Sequence, residues 1–137
     1  MNITKKSHKT YLKSSSHTRH ILRFGTYGFK IMSTVVLTTE QIQSFNRVLL
    51  KNTKNKTTSS KTCKLWSLIK TNKALTKLSL ESRMGKGKGS IYTESVFMKS
   101  GSIIYEFKNY KKHQIIDLFN LFKKQIPCTK LKLVHKK

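Results

Sequence analysis

The chain has 137 residues, with 29 Lys or Arg against 5 Asp or Glu, a formal net charge of +24. One domain with a tail fits that length, and the imbalance makes a compact state self-repelling unless a polyanion neutralises it. A domain this basic points to nucleic acid. No apolar run approaches the roughly 18 residues of a membrane span, and lying on an anionic membrane would require the apolar helix faces that the core needs.

Taken in order, residues 1–23 carry Lys5, Lys6, Lys9, Lys13, Arg19 and Arg23, with His8, His17 and His20 among Ser and Thr. Nothing here is expected to nucleate a core. The segment therefore reads as a basic arm, disordered alone and ordering on nucleic acid; a solubilising tail or a transit peptide are the other readings. Residues 24–137 read as one domain. Phe24-Gly25-Thr26-Tyr27-Gly28-Phe29 interleaves aromatics with glycines, and β-branched residues follow to Leu37, which predicts a strand or hairpin. Phe24 and Phe29 are assigned to the core, while Tyr27 is open between core and base stacking.

Thr38 followed three residues later by Gln41 has the spacing of a capping box, and Ile42, Phe45, Val48 and Leu49 then mark one apolar helix face. This helix is expected to fade near Asn52, before a polar loop reaching residue 60. Residues 64–70 and 74–80 read as two strands joined at Thr71-Asn72-Lys73, with Trp66 as a core anchor and Leu75, Leu78 and Leu80 carrying the second. Residues 90–98 and 102–107 read as strands turning at Ser100-Gly101. A second helix over 111–126 buries Ile115, Leu118, Phe119, Phe122 and Ile126 and stops at Pro127. Residues 130–134 form an edge strand. The class is α+β: helices packed on a mostly antiparallel sheet, with a basic N-terminal arm.

The residues most suited to a ligand are Arg83, Met84, Gly85, Lys86, Gly87, Lys88 and Gly89. Three glycines at every second position free the backbone to enter positive φ and to lie close against a partner. The cations between them suit phosphate. A P-loop is excluded, since no glycine occupies the upstream position that the Gly-Lys-Ser/Thr end requires. Cys63 and Cys128 lie far apart without a Cys-x-x-Cys or His pair, so no metal is implied and two inert thiols are expected.

Phe24 to Lys30, Leu37-Thr-Thr-Glu-Gln-Ile42, the 83–89 block and Gly101 with Tyr105-Glu106 stand in the order and spacing of a ribosomal family. The chain resembles the bacterial-type large-subunit ribosomal protein sixteen family, in an organellar version, over roughly residues 20–134. The resemblance implies an α/β-hammerhead and binding to large-subunit rRNA beside the A- and P-site tRNAs, among neighbouring large-subunit proteins. It implies a glycine-rich loop directed toward the peptidyl transferase region and no cofactor. RNA contacts are then expected from the six arm cations named above, Tyr27, Lys30 and residues 83–89. The chain departs from the family at Thr34, Val36 and Glu40, where arginines are usual, and at Glu94 and Ser100.

The ribosome implied is mitochondrial, with another organelle or a bacterial cytoplasm as alternatives. Lys, Asn, Ile, Phe and Tyr share A/T-rich codons, and only Arg19, Arg23, Arg47 and Arg83 are arginines, as in an A/T-rich organellar gene. An RNA-modifying enzyme would need a placed acid or base. Glu40 opens a helix, Asp117 sits on a solvent face and Glu81 is expected to pair with Arg83, so no catalytic residue is assigned. A packaging protein would be repetitive, and this chain is not.

Overall fold

The computed structural model describes residues 5–6, 15, 19–55, 62–85, 87–126 and 130–136. Pro127 and Cys128 lie outside them. Seven strands and two helices follow in the order β1 (Tyr27–Ile31), β2 (Val35–Thr38), α1 (Thr39–Asn55), β3 (Lys64–Ser67), β4 (Lys73–Lys77), β5 (Ser90–Met98), β6 (Ile103–Lys108), α2 (Lys112–Gln125) and β7 (Leu131–His135). They form two sheets, ordered β3-β6-β1-β7 and β2-β5-β4, with every named pairing antiparallel. The α+β class holds, and β7 is an edge strand as expected.

Local chemistry sets both helix starts. The Gln41 side chain accepts from the Thr38 N–H at 3.1 Å, and the Thr38 hydroxyl accepts from the Gln41 N–H at 3.4 Å, completing the capping box. α1 continues three residues past the expected fade at Asn52, and the Asn52 and Thr53 side chains donate back to the Val48 and Leu49 carbonyls. Gln114 performs half of the same function for α2, accepting from the Lys111 N–H at 3.2 Å.

Phe122 of α2 is the hub of the core. Its ring lies 5.2 Å from those of Phe29 and Phe45 and 5.5 Å from that of Tyr105, so β1, α1 and β6 all meet on it. The Tyr105 hydroxyl donates to Asn46 Oδ1 at 2.8 Å, and burial pushes its pKa far above the ordinary value. β6 is buried on both faces along Ile103 to Phe107. A bulge between Phe29 and Lys30 leaves Ile104 over in the β6 register.

Several expectations are corrected. The strands at 64–70 and 74–80 are shorter and do not pair: β3 joins β6, whereas β4 joins β5. The turn at Ser100-Gly101, with Gly101 at φ 87, carries the chain from one sheet to the other. Leu78 and Leu80 are exposed, Leu80 almost completely at 99%. Phe24 is 55% exposed and stacks at 5.9 Å on Trp66, which is only half-buried and so is no core anchor. The arm, expected to offer nothing to a core, supplies Leu22, which is buried over Gly28.

Candidate nucleic-acid interface

The glycine-rich segment is the far end of a hairpin. β4 and β5 pair until Lys77 meets Ser90, and residues 78–89 connect them. Gly85 and Gly87 take φ of 93° and 91°, a region that strains any side-chain-bearing residue. A Cβ placed on either would meet nothing within 4 Å, so these glycines serve conformation. Gly89 serves packing: a Cβ there would meet the Lys77 carbonyl carbon at 2.5 Å and the Leu78 nitrogen at 2.8 Å. The loop is therefore closely packed at its root and has room for a side chain at Gly85 and Gly87.

Arg83, Met84 and Lys88 are exposed, with Met84 at 94%. Lys86 lies outside the described residues. Glu81 and Arg83, expected to pair, are both exposed. The hydrogen bonds described at this bend join Ser82 N–H to the Ser79 carbonyl at 3.1 Å and the two serine hydroxyls at 2.6 Å. Glu94, where the family pattern departs, accepts from the Thr71 hydroxyl at 2.9 Å.

The arm reaches this hairpin. Lys6 forms a parallel bridge with Ala74 of β4, and its Nζ donates to the Lys88 carbonyl at 3.1 Å. Lys5 is exposed, while Lys9 and Lys13 lie outside the described residues. Ser15 bridges to Ser100. The Arg19 carbonyl accepts from Ile103 N–H at 2.8 Å, and its guanidinium donates to the Leu68 carbonyl at 3.1 Å. Lys30 on β1 donates to the His20 carbonyl at 3.3 Å. Tyr27 is half-buried with its ring 4.7 Å from His135, at the β1–β7 edge rather than beside the glycine loop.

The organising residue that sequence reasoning missed is Glu106. It is fully buried on β6, between Gly28 and Trp66 on the neighbouring strands. Its carboxylate accepts N–H bonds from Arg23 at 3.2 Å and from Phe24 and Gly25 at 2.7 Å each. Three consecutive N–H groups converging on one carboxylate fix the point where arm becomes domain. The available signal was a lone acid inside the apolar run from Ile103 to Phe107.

Among the described residues no group of three or more His, Cys, Asp or Glu could hold a metal ion, and no helix is long and apolar enough to cross a membrane. Cys63 is a free thiol donating to the Asn109 carbonyl at 3.2 Å. Fold and charge define a strongly basic α+β protein with a glycine-rich hairpin loop that carries cations.

Comparison with known proteins gives the family. The model for ribosomal protein L16p/L10e matches residues 2–134. The large ribosomal subunit protein uL16m of Chondrus crispus is 41% identical over 125 residues, covering 91% of each chain. The uL16c protein of Cyanidium caldarium is 36% identical over 102 residues, 74% of this chain and 69% of that one. The uL16 protein of Thermosipho africanus is 31% identical over the same length, 74% of this chain and 68% of its own. The chain belongs to the ribosomal protein L16p/L10e family, a family of structural ribosomal proteins and not of enzymes. The organellar type is supported, and with it the mitochondrial ribosome.

Proposed function

We propose that this chain is a structural constituent of the large subunit of the mitochondrial ribosome, where its arm and glycine-rich loop bind rRNA among neighbouring subunit proteins. The loop tip reaches the region of the A- and P-site tRNAs and supports peptide-bond formation. One observation carries this reading: the hairpin is packed closely at Gly89, yet Gly85 and Gly87 at its tip hold positive φ where an added Cβ would meet nothing within 4 Å. A loop closely packed at the root and open at the tip suits insertion between RNA strands, where backbone N–H groups and lysines meet phosphate. The arm's Lys6, tied to the Lys88 carbonyl, adds charge beside that root.

The test is peptide-bond formation on large subunits reconstituted with altered protein, alongside occupancy. The double variant Lys86→Ala, Lys88→Ala removes two cations of 29 and should leave occupancy intact while slowing the reaction. Gly87→Val should slow it comparably with no charge changed. Full activity at full occupancy for both would reduce the protein to a scaffold.

A further inference from the structure

A second feature lies away from the glycine loop. Phe24 exposes more than half of its surface, although an aromatic ring beside a strand normally gains from burial. It is not loosely held. Its own N–H and those of Arg23 and Gly25 bind the buried Glu106 carboxylate, and its ring rests on Trp66 with 30° between the planes. The ring is a preformed shelf. It lines a pocket of about 200 Å³ together with Ile21, Leu68 and Ser67 and three cations, Arg19, Arg23 and Lys70. That is below the roughly 300–1,000 Å³ of sites for drug-sized ligands, and suits one ring system. Glu106 also borders the pocket, but it is fully buried and its oxygens already accept backbone bonds.

Relying on the RNA-binding role proposed above, we propose that this pocket receives one unstacked nucleotide of single-stranded RNA. The base lies on Phe24 and the adjoining phosphates on Arg19, Arg23 and Lys70. An exposed aromatic flanked by cations is the arrangement by which proteins hold splayed-out bases, because every base offers a π-face and every linkage a negative charge. Charge also sets the path of the strand. Lys70 borders two further pockets. One continues past Arg19, Asn72 and Lys99, whereas the other is lined by Glu94. The polyanion leaves by the first. An apolar side chain of a neighbouring protein could use the shelf, but it would have no use for the three cations beside it.

Trp66 is the only tryptophan of the chain and lies against the shelf, so its fluorescence reports occupancy. The full-length protein is titrated with a single-stranded oligoadenylate and with a fully paired RNA duplex of equal length. The emission should change with the single strand and not with the duplex. Phe24→Ala and Phe24→Leu should each weaken single-strand binding about tenfold, as expected for one lost base–aromatic stack, and Phe24→Tyr should restore it. Duplex affinity should not move. Circular dichroism and Trp66 emission of the free variants check that they fold. Wild-type single-strand affinity in Phe24→Ala, or an equal Trp66 response to the duplex, overturns the pocket and leaves Phe24 to a protein neighbour. Incorporation of the wild-type chain into large subunits is scored separately. Failure there overturns the ribosomal reading, whereas incorporation without single-strand preference overturns the pocket alone.

Discussion

Two of the glycine-bearing regions of this protein are held in opposite ways. At residues 24–28 the backbone is pressed onto β6, where a Cβ on Gly25 would meet the Phe107 carbonyl oxygen at 2.6 Å and a buried carboxylate gathers three N–H groups. At the tip of residues 83–89 a Cβ on Gly85 or Gly87 would meet nothing within 4 Å. One residue type thus serves close packing in the first region and conformational freedom at the tip of the second. Removing a contact from the first should cost stability. Altering the tip of the second should cost function with the fold intact.

The largest effect is expected from Glu106→Ala. Each hydrogen bond to a charged group contributes about 1.5–3 kcal/mol, so losing the set should destabilise the protein by at least about 3 kcal/mol in urea unfolding. Glu106→Gln keeps an acceptor and should fall between. Next comes Gly89→Ala at the loop root, where the added methyl meets the Lys77 backbone. Overpacking of that kind costs about 1–3 kcal/mol, and amide exchange should show the β4–β5 pairing loosened. Gly87→Val should cost only about 1 kcal/mol, the low end for a strained φ, because the open tip can rearrange. The smallest stability change belongs to Lys88→Ala, within about ±0.5 kcal/mol for an exposed site. It should instead reduce the salt slope of rRNA-fragment binding by about 1. Comparable destabilisation by the tip and Glu106 variants would erase the contrast between the two regions.

What the sequence revealed follows how local each signal is. The capping box at Thr38 and Gln41 and the stripe through Ile115, Leu118 and Phe122 are complete within a few residues, and both helices stand where expected. The loop was legible because alternate glycines free the backbone for positive φ, and Gly87 has the positive φ expected of it. Strand pairing was not legible. An apolar run such as Leu65-Trp66 states that it pairs, not with which strand, and β3 turns from its neighbour β4 to β6. Leu22 was hidden among cations, and its burial depends on Gly28 leaving room. Lys9, Lys13 and Lys86 lie outside the described residues.

The sheet order has a kinetic consequence. β1 lies between β6 and β7, pairing Tyr27 with both Phe107 and His135. During synthesis the strand at residue 27 has no partner until about eighty residues more have been made, and its final neighbour arrives only with residues 131–135. Only β4 and β5 can close as a local hairpin beforehand, since β3 and β2 wait for β6 and β5. Loop-closure entropy must be met before those distant contacts repay it, which slows folding relative to a helical bundle of the same length. Through that interval a segment bearing Phe29 and Ile31 travels with its N–H and C=O groups unpaired. RNA engaging the arm just upstream would hold it apart from other exposed strands while the partner strands are made.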